Sequence, residues 1–318
     1  MSDKKTVYIG SRKSQLALVQ THHVIDRLKE LHGSKYNFEL KTLDTVGDRV
    51  LNVALSKIGD KGLFTKELED LMISGDIDIA VHSLKDIPTK FPEGLGLGAI
   101  TKRENCLDAF IVNASKHRPT CTLAELPEGA IIGSSSLRRV SQLKRAYPHL
   151  QFKDIRGNLN TRFEKLEKSG EYDGMILAVA GLERLGWTDR ITEIIQPTVS
   201  LYAVGQGALG IECRSNDPLI MSLLEPLNDK DTASCCIAER AMLSELEGGC
   251  HVPIGVISSI DVERQLITLE GIVLNLDGSR AIRLSHTGPL ASCHQVGREL
   301  AQQLIEKGAK EILNDLSK

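Results

Sequence analysis

The sequence predicts an α/β protein: two similar lobes, each a mainly parallel or mixed sheet flanked by helices, and then a smaller α+β domain. Three observations predict it. Strand-like and helix-like stretches alternate through the first two thirds of the chain. A strand that breaks at glycine into a hydroxyl-rich helix start occurs twice, as Ile9-Gly10-Ser11-Arg12 and as Ile132-Gly133-Ser134-Ser135. After about Leu219 the pattern changes to a long helix, alternating strands and a closing helix. At 318 residues the chain also exceeds what one hydrophobic core usually serves, so two or three domains are expected.

Taken in order, Thr6 to Gly10 reads as a short strand and Ser14 to Leu31 as an amphipathic helix. Ala17, Val24, Leu28 and Leu31 line one face of that helix at helical spacing. A strand follows around Phe38 to Leu43. Asp44 to Gly62 holds three glycines and six charged residues with poor periodicity, and reads as a largely mobile loop. Phe64 to Ile73 is helical by pattern, and Asp76 to His82 is a buried strand ending in a polar turn. The second lobe repeats the scheme with a strand at Ala130 to Gly133, a helix at Ser136 to Ala146 and a strand at Phe152 to Ile155. It continues with a helix at Asn158 to Lys168 and a very apolar strand at Gly174 to Ala180. Beyond these, a helix from about Thr232 to Leu246 stops at Gly248-Gly249. Strands at Ile254 to Ile260, Leu266 to Leu274 and Arg280 to Ser285 follow, and a helix from about Ser292 closes the chain.

Composition excludes several functions. With 41% hydrophobic and 25% charged residues the chain is neither disordered nor fibrous. Aromatics at 4% speak against base-stacking platforms, and a net charge of −3 against a surface that is all nucleic-acid footprint. A local basic cleft stays open. No stretch approaches the roughly 20 apolar residues of a membrane span. Met1 to Lys5 leads into no apolar run, so no secretory leader is expected. Seven cysteines, an odd number with no C-x-x-C pair, signal neither a disulfide framework nor a zinc knuckle, and a reducing, cytoplasmic setting is expected.

The candidate chemistry lies at strand ends. In Gly133-Ser134-Ser135-Ser136-Leu137-Arg138-Arg139, hydroxyls and free backbone N–H groups at a helix start attract anions. Two arginines in a first turn oppose the helix dipole unless an anionic ligand compensates. Arg156-Gly157-Asn158 repeats the scheme, with Asn158 as N-cap and Arg162 one turn in, and Arg184 follows the next strand. Arginine forks from three successive strand ends point to a polyanion. His82-Ser83-Leu84-Lys85-Asp86-Ile87-Pro88 places a carboxylate beside a cation, suited to stabilise positive charge or move a proton. It fits equally an aspartate that only closes its own turn before proline. Gly205-Gln206-Gly207 suits either close backbone approach to a ligand or a tight interdomain crossing. Cys250, on the turn after a helix, is either reactive or one of the many inert buried cysteines.

Together and in this order these segments closely resemble the porphobilinogen deaminase (hydroxymethylbilane synthase) family. The matching motifs are Gly10 to Leu18, Gly62 to Glu69, His82 to Pro88, Gly133 to Arg139, Arg156 to Arg162, Ala178 to Leu185, Gly205 to Glu212 and Glu247 to Gly255. The likeness is weakest after about Ser258. It implies two lobes of the periplasmic-binding-protein type and a smaller C-terminal α+β domain, placed at 1–101 with 202–225, 102–201 and 226–318. It implies a dipyrromethane cofactor held by a thioether at Cys250. It further implies head-to-tail joining of four porphobilinogens, with ammonia lost each time, and hydrolysis to the linear tetrapyrrole. The resemblance assigns Asp86, Arg12 and Lys85 to the chemistry. To the cofactor it assigns Ser83, Lys85, Asp86, Ser134, Ser136, Arg138, Arg139, Arg156, Gly157, Arg162, Arg184 and Gln206. To the substrate it assigns Arg12, Ser14, Phe64, Lys61, Arg156, Arg162 and Arg184, with Lys61 on a lid over the cleft. Ser134 stands where threonine is common, and its hydroxyl is kept. A monomer that binds neither nucleic acid nor membrane is expected. The rivals are a non-catalytic anion-binding protein of the periplasmic-binding class and a phosphate-gripping nucleic-acid regulator.

Overall fold

The computed structural model describes residues 4–44, 65–246 and 252–315. The loop expected at 44–62 therefore falls, Asp44 apart, outside the described residues, as do Lys61, Phe64, the Gly248-Gly249 stop and Cys250. In chain order the elements are β1 (Lys5–Arg12), α1 (Gln15–His32), β2 (Tyr36–Leu43), α2 (Lys66–Ser74), β3 (Ile79–Ser83), β4 (Leu95–Ile100) and β5 (Asp108–Val112). Then come β6 (Ile131–Gly133), α3 (Leu137–Ala146), β7 (Gln151–Lys153), α4 (Leu159–Lys168), β8 (Gly174–Ala178), α5 (Val179–Arg184) and β9 (Glu193–Ile195). The rest are β10 (Leu209–Arg214), α6 (Pro218–Leu224), α7 (Lys230–Glu245), β11 (Ile254–Asp261), β12 (Leu266–Leu274), β13 (Ala281–Pro289), α8 (Cys293–Glu306) and α9 (Ala309–Asn314). The expected Gly174–Ala180 strand stops at Ala178, where the apolar run turns into α5. Apolar continuity alone does not separate a buried strand from a buried helix turn.

Two compact units result, Met1–Glu104 with Ala208–Ala233, and Asn105–Gly207 with Ser234–Lys318. The first holds a five-stranded sheet in the order β2-β1-β3-β10-β4. β1, β2 and β3 run parallel, and β10 is antiparallel to both β3 and β4. Ile79, Ala80 and Val81 are buried in succession because helices cover both faces of the sheet. Val24, Ile25 and Leu28 of α1 pack on one side, and Leu68 and Met72 of α2 on the other. Helix α1 begins where the Ser14 hydroxyl accepts from the Ala17 N–H, and it ends at Gly33, whose φ of +58° suits glycine.

The second unit repeats the plan in the order β7-β6-β8-β5-β9. Strands β6, β7 and β8 are parallel, and β5 is antiparallel to β8 and β9. The two faces alternate along β5. Phe110 and Val112 join the core with Leu143 of α3, while Ala109 and Ile111 join the one with Phe163 and Leu166 of α4. A Cβ on Gly174 would lie 2.2 Å from the Phe110 ring, so only glycine allows that pairing. The same unit carries an antiparallel sheet, β11-β12-β13, against which α7, α8 and α9 pack through Met242, Leu300, Leu304 and Ile312. Mixed α/β lobes followed by a smaller α+β domain are thus the architecture.

Candidate active site

In the first unit, parallel β1 and β3 end on the same sheet edge, Ile9 lying opposite Ile79 and Gly10 opposite Ala80. Arg12 is the last residue of β1 and Ser14 follows it. The β3 end carries Ser83 and then a single tight turn, Leu84–Asp86. Leu84 and Ile87 are buried and hold this turn down, the Leu84 N–H donating to the Ala208 carbonyl at 3.0 Å. Lys85 and Asp86, between the two anchors, stay half-buried. Ser83 Oγ accepts from Gln20 Nε2 of α1 at 3.0 Å. Ser14 is occupied as the α1 cap. Among the described residues nothing donates to the Asp86 carboxylate and no cation pairs with it, so it does not close its own turn. It remains available.

In the second unit, three neighbouring parallel strands end at one edge, and each delivers arginine there. After β6, Ser134 Oγ accepts from the Ser136 N–H and Ser136 caps α3 by accepting from the Arg139 N–H. After β7, Arg156 is largely buried, 3.9 Å from Asp154. Gly157 turns the chain at φ +113°, and Asn158 caps α4 by accepting from the Thr161 N–H. Arg162 Nε donates to the Gly157 carbonyl at 2.8 Å. After β8, Arg184 donates to the Gly207 carbonyl at 2.7 Å, bracing the turn in which Gly205 and Gly207 take φ of +73° and +91°. Arg156, Arg162 and Arg184 are all half-buried.

Arg138 and Arg139 behave differently. They are 4% and 7% exposed, and both pair with Asp108, the first residue of β5, at 2.7 Å. The anion that offsets two cations in the first turn of α3 is therefore a side chain of this protein. Burial alone would raise the Asp108 carboxyl's pKa; the two guanidiniums outweigh it and hold it well below the usual carboxylate range. Gln206 Nε2 donates to the same carboxylate at 2.9 Å and to the Cys106 carbonyl at 2.7 Å. Glu239 of α7, fully buried, accepts from the Gly205 N–H at 2.8 Å and from Ser258 Oγ at 2.6 Å. Asp108 and Glu239 escape the sequence reading. The signal for Asp108 was a single charge opening the apolar run Ala109-Phe110-Ile111-Val112.

The family description "Porphobilinogen deaminase, dipyromethane cofactor binding domain" matches residues 7–222. The chain belongs to the porphobilinogen deaminase family. The description "Porphobilinogen deaminase, C-terminal domain" matches residues 233–306. A porphobilinogen deaminase of Dictyostelium discoideum is 62% identical over 322 residues, covering 100% of this chain and 99% of its own. One of Synechococcus elongatus is 55% identical over 317 residues, covering 99% and 97%. The periplasmic VFT2 domain of Bordetella pertussis BvgS is similar at 13% identity and a TM-score of 0.42, covering 74% of this chain and 94% of its own, too weak a likeness to bear on fold or function.

The matched description names a dipyrromethane cofactor, and the resemblance implies that its pyrroles carry carboxylate side chains. The second unit's edge fits such a group. It offers half-buried arginines from the turns after β7 and β8, hydroxyls and N–H groups at a helix start, and a buried Arg138 Nε with no acceptor among the described residues. Among the described residues no cluster of His, Cys, Asp and Glu is placed to hold a metal, and no helix is long and apolar enough to cross a membrane.

Proposed function

We propose that this chain is a transferase that joins four porphobilinogens head to tail on a dipyrromethane bound through a thioether to Cys250. One ammonia leaves per addition, and water finally releases the linear tetrapyrrole. The observation that carries this reading is the 62% identical relative of that name over the whole chain. The geometry supplies roles for the residues.

When bound, the dipyrromethane supplies the pyrrole carbon to which the first substrate is joined. Arg156, Arg162 and Arg184 grip acetate and propionate, and their half-buried setting strengthens each fork over its value in open water. Arg12 and Lys85 hold substrate carboxylates at the first unit's edge. Loss of ammonia leaves positive charge on the pyrrole, and the uncommitted Asp86 carboxylate stabilises that charge and takes the ring proton as each bond is completed. Leu84 and Ile87 keep the carboxylate in place by anchoring its turn on both sides.

Intact-protein mass tests the assignment. Wild-type protein is expected to weigh more than its sequence by two pyrroles, and Cys250→Ser to weigh only its sequence and be nearly inactive. Normal product formation by a purified, cofactor-free C250S protein would refute the assignment. A wild type with no added mass would favour a binding protein instead.

A further inference from the structure

We propose that Asp108 is a positioning residue of the second unit, fixing Arg138, Arg139 and Gln206 as one rigid cationic floor beneath the anion-binding turn. The inference rests on the deaminase reading and adds to it a residue outside the binding turns. Asp108 Oδ2 accepts from Arg138 Nη1 at 2.7 Å. Its Oδ1 accepts from Arg139 Nη2 at 2.7 Å, Arg139 Nε at 3.0 Å and Gln206 Nε2 at 2.9 Å. The outer ends of both guanidiniums are also fixed, Arg138 on the Leu201 carbonyl at 2.7 Å and Arg139 on the Ile176 carbonyl at 3.0 Å. One carboxylate from β5 thus sets the orientation of groups from α3 and the glycine turn.

The charge within this cluster does not close. Two guanidiniums face one carboxylate, all three nearly excluded from solvent, which leaves one positive charge and the unused Arg138 Nε. A buried cation without a full counter-ion is costly, and an incoming carboxylate relieves that cost. Remove the Asp108 charge, and both arginines lose their common anchor and their fixed geometry. The cofactor's stabilisation of the fold and the substrate's affinity then fall together, although Asp108 touches neither.

The test makes Asp108→Asn and Asp108→Glu, each with Cys250 intact and in the C250S background. Three quantities are read: covalent occupancy by intact mass, melting temperature, and KM against kcat for porphobilinogen. In wild type the cofactor-loaded protein is expected to melt above C250S. With D108N, occupancy is expected to fall about tenfold, and the loaded-minus-unloaded gap in melting temperature to shrink by more than half. D108E, which keeps the charge one methylene further out, is expected to fold and regain occupancy while KM stays raised about tenfold at nearly normal kcat. The inference is overturned if D108N lowers the loaded and unloaded melting temperatures equally, with occupancy and KM unchanged. Should D108N fail to fold, an unchanged KM and occupancy in D108E overturns it just as directly. A wild type of bare sequence mass overturns the deaminase reading, and this inference with it. A loaded wild type with purely additive variants overturns this inference alone.

Discussion

In the first sheet the antiparallel strand β10 carries Glu212, and in the second the antiparallel strand β5 carries Asp108. Both are buried carboxylates beside the third parallel strand. Glu212 sits in mid-strand opposite Ala80, with His82 Nε2 at 3.3 Å and no hydrogen bond to either oxygen among the described residues. Asp108 sits at the strand's first residue, opposite Ala178 at the end of β8, and gathers two arginines and a glutamine. The same scaffold position, moved along the strand, changes a carboxylate from one with no hydrogen bond among the described residues into one that gathers two arginines and a glutamine. The carboxylate at the first unit's own edge, Asp86, is held by buried neighbours rather than by cations, and so is free to act.

The largest expected effect on turnover lies on that uncommitted group. Asp86→Glu moves the carboxylate by a methylene while Leu84 and Ile87 hold the turn. Turnover is expected to fall by about 100-fold or more, with the unfolding free energy from urea titration unchanged to within about 0.5 kcal/mol. Steady-state rates on cofactor-loaded protein check it. Wild-type turnover in D86E would remove Asp86 from the chemistry and leave the two edges without the contrast drawn here.

The largest expected effect on stability comes from the direct comparison of the two buried carboxylates. Asp108→Asn takes the shared anion from two buried guanidiniums and is expected to cost about 3–5 kcal/mol of unfolding free energy. Glu212→Gln changes a buried carboxyl that has His82 at 3.3 Å, Glu69 within electrostatic range and no hydrogen bond to either oxygen among the described residues. It is expected to change stability by no more than about 1 kcal/mol, in either direction. Urea titration of both variants decides. Equal losses would mean that the hydrogen-bond count around a buried carboxylate does not govern its contribution in this fold.

The helices and parallel strands of both lobes were legible because each has a period, a cap or a glycine stop in the sequence. Ser14, Ser136 and Asn158 cap the helices they were expected to start. Three arginine-bearing strand ends were legible for the same reason, since each follows a strand and opens a helix. The antiparallel strands β5 and β10 left no such mark, being short runs that pair only with distant segments. Asp108 was hidden with β5. Its partners lie 30 and 31 positions away for the arginines and 98 for Gln206, and no local pattern links residues at such separations. For the same reason, the internal anion that Arg138 and Arg139 share could not be read from the sequence.

The smallest expected effect is a slope in pH, and it tests whether the first unit has a titrating carboxyl that the second lacks. Glu69 of α2 is buried, and burial together with the nearby charge of Glu212 holds its pKa above the ordinary value, whereas Asp108 is held below it. A carboxyl raised in the native state adds stability that is fully present below the unfolded value of about 4.3 and is lost as pH rises through the native value. A depressed carboxyl does the reverse, losing its contribution only in strong acid. Glu69→Gln, which cannot titrate, is therefore expected to gain on wild type as pH rises from about 4 toward neutrality and then hold a constant difference. D108N should show no such trend over that range. Urea midpoints at several pH values check both. Parallel curves for E69Q and wild type would show that Glu69 reaches solvent or a proton-sharing partner as readily folded as unfolded, and the electrostatic contrast between the two sheets would then rest on Asp108 alone.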